Sequence, residues 1–352
     1  MGQEQDAALG FGGGESVGDQ VGAEGRDEYP PLPGQSDSEA TDGLGVGDHD
    51  DGRAGPRGMP ADECEQPVER GARQRPIDQD EPALPHVAAQ VVGAAGGLLG
   101  VRAGINAITW VFGMALASPA PRLGFAHTAR LMFDEYLAFL LTFVLVIPFE
   151  RLWMPADRLA KGKQPILLVH GFGCSRGVWW LLRRRLEAAG HTVASVSLAP
   201  PHVSLGRLEP ILSQRIEAVC AATGSPQLTL IGHSMGGLIA RCYLARHGNE
   251  RVARLITLAS PHMGSDMSRI GFGQNSREMT TGSLWLQDMA AEPLTVPTIS
   301  LRNAYDNYVM PQDNQRLPGA QDIELPPVGH IAMLYDRRVA RLLIELLNPN
   351  QP

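Results

Sequence analysis

The sequence lacks the residue patterns that indicate a metal site or a nucleic-acid partner. Its four cysteines, Cys64, Cys174, Cys220 and Cys242, include no C-x-x-C pair and no other metal-ligand spacing. Cys220 and Cys242 fall at apolar positions of predicted helices, which favours buried free thiols. No basic cluster with interleaved aromatic residues occurs, which argues against nucleic acid as a partner. We therefore predict a protein with no metal centre and no nucleic-acid-binding role.

Positive charge is scarce at the N-terminus. Residues 1–80 contain 19 Asp and Glu, six Arg and no Lys, whereas the remaining residues carry a net charge of +5. The same segment is rich in Gly and Pro and almost free of large apolar residues, so burial cannot offset the entropy of ordering it. It also lacks the basic start and apolar stretch of a signal or transit peptide. We predict that residues 1–81 form a disordered acidic tail.

Charged residues of either sign are then almost absent for a long stretch. Residues 82–101 and 103–121 contain no Asp, Glu, Lys or Arg, and a more apolar run of 14 residues follows at 136–149. The first two runs are long enough to span a bilayer. Residues 82–155 could form a membrane anchor of one to three helices or a helical cap packed on the domain that follows. We favour the anchor, because so dense an apolar region has no obvious core to join. A slight excess of basic residues after the last run favours a cytoplasmic domain downstream.

Short apolar runs alternate with amphipathic segments in residues 156–352. Strands are predicted at 164–169, 191–197, 228–231, 252–259, 296–301 and 322–325, and helices at 178–189, 208–223, from 235 onward, and at 337–347. This alternation predicts an α/β fold with a mostly parallel sheet and helices on both faces. Residues 262–292 have little periodicity. We interpret them either as a lid or pocket wall or as an ordinary surface excursion.

A serine occupies the turn between the predicted strand 228–231 and the helix that follows. Gly232, His233, Ser234, Met235 and Gly236 form a G-x-S-x-G motif. A serine on so sharp a turn needs neighbours without a β-carbon, so that strand and helix can approach each other. Its hydroxyl then projects above the sheet, and the helix N-terminus beneath it favours developing negative charge. The motif predicts a nucleophile at Ser234, held in an elbow formed by Gly232, His233 and Gly236.

A serine hydroxyl needs an imidazole to accept its proton and a carboxylate to orient that imidazole. In sheets of this kind the acid and the histidine follow the serine along the chain. Of the later histidines, His247 ends the nucleophile helix and His262 directly follows a strand. His330 lies in the loop between the last strand and the last helix, where a mobile base belongs. We therefore predict His330 as the general base.

The acid should also lie just past the carboxyl end of a strand. Asp306 follows the strand predicted at 296–301, and Asp313 and Asp322 are the alternatives. We predict Asp306, because Asp313 lies further into the loop and Asp322 enters the next strand from the wrong end. The oxyanion of a tetrahedral intermediate needs two donors, for which we predict the backbone N–H groups of Met235 and Phe172.

These motifs, together with His170-Gly171-Phe172-Gly173, Ser260-Pro261-His262-Met263-Gly264-Ser265 and Gly329-His330, stand in the order found in bacterial triacylglycerol lipases of the α/β-hydrolase fold. Residues 163–348 resemble that family, whereas the acidic tail and the apolar region do not. The resemblance implies a triad of Ser234, Asp306 and His330, lipid or other carboxylic esters as substrates, and no cofactor.

The sequence therefore predicts a membrane-associated serine esterase or lipase that works through an acyl-enzyme. An acyltransferase or thioesterase would use the same triad with a different acceptor or leaving group. A membrane-tethered binding protein on an inactive hydrolase scaffold is a further alternative, against which the complete Ser, Asp and His set argues.

Overall fold

The computed structural model describes residues 84–348, and the acidic tail predicted for residues 1–81 lies outside this range. Six parallel strands within the range form one sheet in the order β2-β1-β3-β4-β5-β6. They are β1 (Ile166–Val169), β2 (Val193–Val196), β3 (Leu228–His233), β4 (Val252–Leu258), β5 (Thr298–Arg302) and β6 (Gln321–Glu324). Because all six run in one direction, the loops after their carboxyl ends meet at a single edge of the sheet.

Nine α-helices are present in the described residues. They are α1 (Leu84–Ala115), α2 (Phe125–Leu140), α3 (Glu150–Trp153), α4 (Trp180–Ala188), α5 (Leu205–Thr223), α6 (Met235–His247), α7 (Gln274–Glu278), α8 (Leu284–Ala291) and α9 (Arg337–Leu346). A π-helical turn, Leu141–Val146, extends α2, and 3-10 turns lie at Arg176–Trp179, Asp266–Ile270, Gln312–Gln315 and Ala332–Leu334.

Alternate residues of the central strands feed two separate cores, because successive side chains of a strand point to opposite faces. Ile166 and Leu168 of β1 pack with α4 and α9 on one face. Leu167 and Val169 pack with α5 and α6 on the other. The predicted strands, helices and parallel sheet are therefore confirmed, with boundaries that differ by a few residues.

The region that precedes the sheet packs against it over residues 131–154. Ala138 and Met154 belong to the same buried cluster as Leu168 of β1. The hydroxyl groups of Thr142 and Tyr335 form a hydrogen bond of 2.6 Å between the π-helical turn and the chain before α9. The alternative of a packed helical region, which we considered less favourable, therefore describes this part of the chain.

No helix within residues 84–348 combines the length and the apolarity needed to cross a membrane. The predicted transmembrane helix is thus not found in this range. Helix α1 has 32 residues but includes Gly, Gln, Asn and His among its apolar side chains, and α2 carries Arg130, Asp134 and Glu135.

Candidate active site

Ser234 lies in the sharp turn between β3 and α6. Its backbone has φ 53° and ψ −124°, a left-handed conformation that costs energy for a residue with a side chain. The neighbouring glycines are required by contact: a β-carbon at Gly236 would overlap the carbonyl oxygen of Val169, and one at Gly232 would lie 2.6 Å from the nitrogen of Gly237. The close approach of β1, β3 and α6 thus depends on the glycines of the elbow, and the Ser234 side chain stays half-exposed.

The loops after β5 and β6 bring together the predicted acid and base. Nδ1 of His330 lies 2.7 Å from Oδ2 of Asp306, and both residues are buried. The other carboxylate oxygen of Asp306 accepts hydrogen bonds from the N–H groups of Tyr308 and Val309, each at 2.7 Å. These two donors fix the carboxylate, so that it accepts the Nδ1 proton of His330 and leaves Nε2 free to act as a base.

The environment of His330 acts on its pKa in opposite directions. Burial lowers this pKa, but the charge and hydrogen bond of Asp306 and the charge of Glu135 outweigh burial, and the pKa lies above its ordinary value. The ring of His233 lies beside that of His330, with the centroids 4.6 Å apart. Burial lowers the pKa of His233 well below the ordinary value, so His233 is neutral and adds no charge next to the base.

The backbone of His330 is held by hydrogen bonds from several sides. Its N–H donates to Oδ1 of Asn307 at 3.2 Å, and its carbonyl oxygen lies 3.1 Å from Nε2 of His233. The preceding Val328 carbonyl accepts a hydrogen bond of 2.7 Å from the Asn303 side chain. Within residues 84–348, no hydrogen bond joins the Ser234 hydroxyl to His330; in free enzymes such catalytic contacts are commonly long and shorten when substrate binds.

The alternative acids are engaged elsewhere. The carboxylates of Asp313 and Asp322 both bind the guanidinium of Arg316, at 3.0 and 2.5 Å. Of the other histidines, His247 binds Glu209 at the far end of α6, and Nε2 of His262 lies 3.0 Å from the hydroxyl oxygen of Thr257. None of these four groups contacts His330.

The two predicted oxyanion donors flank the nucleophile. A β-carbon at Gly171 would lie 3.0 Å from Cβ of Ser234, so the loop that carries Phe172 runs directly against the elbow. Met235 begins α6, where backbone N–H groups have no partner within the helix. No group in the described part of the chain accepts a hydrogen bond from the N–H of Phe172 or Met235. The geometry leaves both donors available to a substrate oxygen.

His170 has the structural role that we preferred for it. Its Nδ1 lies 2.9 Å from the carbonyl oxygen of Gly171, and its Nε2 accepts the N–H of Leu198 at 2.9 Å. Burial lowers the pKa of His170 to about 4, so the ring stays neutral and ties the loop after β1 to the end of β2.

Residues 164–301 match the family described as the alpha/beta hydrolase fold. The sheet domain has the α/β-hydrolase fold. The match includes the nucleophile elbow and the loop after β1 but ends before Asp306 and His330.

This chain is similar to two triacylglycerol lipases. Those of Pseudarthrobacter phenanthrenivorans and Burkholderia plantarii are each 34% identical over 122 residues, or 32% of this chain. The matches span 38% and 34% of these relatives, so little more than a third of their length is compared. Among solved structures, the mature lipase BlEst2 of Bacillus licheniformis has a TM-score of 0.50 at 19% identity, covering 56% of this chain and 96% of that one. This last likeness concerns the fold alone.

Sequence reasoning missed three side chains that hold the His330 loop by hydrogen bonds, namely Asn303, Asn307 and Glu135. Glu135 is fully buried and accepts the N–H groups of Ile331 and Ala332. A signal for Glu135 was present, because it continues the buried stripe of α2 between Leu131 and Ala138. Between residues 84 and 348, no cluster of three or more His, Cys, Asp or Glu side chains could hold a metal ion.

Proposed function

We propose that this protein is a serine hydrolase that cleaves carboxylic esters through an acyl-enzyme intermediate. The proposal rests above all on the buried hydrogen bond of 2.7 Å between His330 and Asp306, at the sheet edge that also carries Ser234. The strained turn at Ser234 and the two available N–H groups beside it support the same chemistry. So does the similarity to two triacylglycerol lipases.

The proposed reaction has two halves. The Ser234 oxygen attacks the ester carbonyl while Nε2 of His330 takes the hydroxyl proton, and Asp306 stabilises the imidazolium that results. The N–H groups of Phe172 and Met235 hold the oxyanion. The imidazolium then protonates the departing alcohol. A water molecule, deprotonated by the same nitrogen, releases the acid and restores Ser234.

We further propose that the acyl chain lies beside residues 262–292. This segment is fastened to the site, because the Asn275 amide lies 3.5 Å from the sulfur of Met235 and the Gln274 N–H donates to the His202 carbonyl. Phe272 is 64% exposed, and its ring lies 6.0 Å from that of Phe172. An exposed aromatic ring next to an oxyanion donor suits contact with a long hydrocarbon chain. This supports the interpretation of residues 262–292 as a pocket wall.

Hydrolysis of p-nitrophenyl esters of increasing acyl length tests the function and the chain-length preference together. Ser234→Ala should abolish turnover, with a loss of about 10⁶-fold in kcat, while the thermal transition is unchanged. Ser213→Ala, on α5, is the matched control and should hydrolyse at the wild-type rate. Turnover retained by Ser234→Ala would exclude the proposed nucleophile. A flat or short-chain profile would exclude the long-chain specificity and leave a general esterase.

We also propose that the N-terminal helices associate with a lipid surface. Residues 84–133 contain no Asp or Glu, and large apolar side chains are exposed along α1 and α2. On these two helices they are Leu99, Val101, Ile105, Ile108, Val111, Phe112, Met114, Phe125, Phe133 and Leu137. Phosphatidylcholine vesicles should carry the full chain upward on flotation. Val101→Asp with Val111→Asp should reduce this binding, whereas Leu284→Asp, on α8, should not. Full-length protein that neither floats nor resists carbonate extraction would contradict the proposal.

A further inference from the structure

We propose that Glu135, on a helix outside the matched hydrolase region, is a positioning residue that holds the loop of His330, the general base. Its carboxylate also adds a second negative charge, besides that of Asp306, to the surroundings of the His330 ring. The proposal deepens the proposed function and rests on it for the role of His330. It extends the site to the N-terminal helices, which lie outside both the family match and the predicted triad.

The contact joins α2 to the residues that directly follow His330. Both carboxylate oxygens of Glu135 lie 3.0 Å from the N–H of Ile331, and Oε2 also accepts the N–H of Ala332 at 2.8 Å. Glu135 has no exposed surface. These two N–H groups begin the 3-10 turn Ala332–Leu334, where no carbonyl of the turn can reach them. A side chain almost 200 residues earlier thus provides their acceptor.

The residue that precedes His330 is fitted to the same carboxylate. A β-carbon at Gly329 would overlap Oε2 of Glu135 and lie 2.7 Å from its Cβ. Gly329 has no left-handed backbone angle that would call for a glycine. The close approach of Glu135 is therefore the reason for a glycine at this position. Glu135 contacts the loop on both sides of the base, at 329 and at 331–332.

Helix α1 supports the base by a second route. The Asn307 side chain accepts the N–H of His330 and donates to the Thr109 hydroxyl at 2.8 Å. At Gly113, a β-carbon would lie 3.3 Å from the Asn307 backbone, so the helix packs closely on the acid loop. The two N-terminal helices thus contact the acid loop and the base loop, one each.

Besides accepting hydrogen bonds from the loop, Glu135 acts on His330 through its charge. Burial raises the pKa of Glu135 to about 7, opposed by its two backbone donors and by His330. Among the neighbouring ionisable groups, the charge of Asp306 also raises the pKa of Glu135. The charge of Glu135 in turn raises the pKa of His330, Tyr308 and Tyr335. Arg102 of α1 lowers the pKa of Tyr308. An ionised Glu135 stabilises the imidazolium that forms when Ser234 gives up its proton.

Glu135→Gln removes the charge but keeps an acceptor for both N–H groups, because the amide oxygen can take the position of Oε2, which accepts from Ile331 and Ala332. Its kcat at pH 8 should stay within about threefold of wild type. The acidic limb of its kcat/KM profile should move to lower pH by roughly one unit, since a neighbouring negative charge is lost. Asp134→Asn is the matched control, because its side chain is exposed and forms its ion pair with Arg130 of the same helix. An acidic limb that does not move in Glu135→Gln would overturn the electrostatic part.

Glu135→Ala removes the acceptor of both N–H groups and should lower kcat by between about 10- and 100-fold with little change in KM, through misplacement of the base. A second variant covers the case in which this one fails to fold. Gly329→Ala should impair wild type strongly but cost less in a Glu135→Gly background, where neither the carboxylate nor the Cβ of residue 135 blocks the new β-carbon. Equal effects of Gly329→Ala in the two backgrounds, or a folded Glu135→Ala enzyme with wild-type kcat, would overturn the positioning role.

A readout without turnover separates this inference from the proposed function. The pKa of His330, followed by NMR on protein with labelled histidine, should fall in Glu135→Gln and stay unchanged in Asp134→Asn. If the wild-type protein hydrolyses no ester, the proposed function fails while this shift still tests the coupling. If the ester is hydrolysed and the pKa of His330 is the same in both variants, the coupling fails while the function stands.

Discussion

Asp306→Asn should abolish the proposed hydrolysis by moving the ring proton of His330 from Nδ1 to Nε2. In the wild type, Oδ1 of Asp306 accepts two N–H groups at 2.7 Å, and Oδ2 faces Nδ1 of His330. An asparagine must keep its only oxygen toward the two donors, because an amide NH₂ there would face two N–H groups. Its NH₂ group then points at Nδ1, which becomes an acceptor. The ring proton moves to Nε2, and His330 can no longer take a proton from Ser234.

The expected loss follows from this tautomer exchange. The same exchange in a triad costs about 10⁴-fold in kcat, which is about 5 kcal/mol of transition-state stabilisation. The two hydrogen bonds to the Asn oxygen survive, so the free energy of unfolding should change by no more than about 1 kcal/mol. Asp306→Ala would leave two buried N–H groups without an acceptor, at about 1–3 kcal/mol each, and is the poorer variant for this purpose.

The assay is steady-state hydrolysis of a p-nitrophenyl ester between pH 6 and 10, with urea unfolding of the same samples. Asp313→Asn is the control, because its carboxylate lies in the same loop but binds Arg316. It should retain wild-type kcat. If Asp306→Asn keeps kcat within tenfold of wild type while folded, the carboxylate does not orient the base, and the reasoning from the hydrogen bonds is refuted.

Two further predictions concern the pH profile and the elbow. Because the pKa of His330 is raised and its neutral form is the base, the acidic limb of kcat/KM should lie above 6.5, and activity should be lost as pH falls through it; a limb below pH 6 would contradict this. A β-carbon at Gly237 would overlap the Ser260 hydroxyl, so Gly237→Ala should lower the free energy of unfolding by about 1–3 kcal/mol, whereas unchanged urea stability would contradict the close packing.

Local patterns were sufficient to predict the sheet and the elbow. The strand-to-helix turn at Ser234 can be predicted from its local sequence, because the glycines around it are required by contacts with β1 and α6 that any such turn makes. Asp306 and His330 could be placed because they follow strands of a parallel sheet, whose ends share one edge. Their assignment needed only chain order and strand direction.

What the sequence could not provide was the partner of the N-terminal helices. An apolar run with two embedded acids, Asp134 and Glu135, can be read as a membrane segment or as a buried stripe, and only the packing distinguishes the two readings. Glu135 is buried because its carboxylate meets two N–H groups that lie almost 200 residues further on. The supports from Asn303 and Asn307 were missed for the same reason, since an asparagine in a loop has no pattern of its own. Contacts that depend on how separate segments dock leave no local signal.

The most direct test of the proposed mechanism is to label the protein with a fluorophosphonate and to locate the adduct by mass spectrometry. We expect one adduct, on the peptide that contains Ser234, and none in Ser234→Ala. Labelling should be much slower in a His330→Ala variant, because the base that activates the hydroxyl is missing. An adduct on another residue, or labelling that is equally fast without His330, would contradict the proposed mechanism.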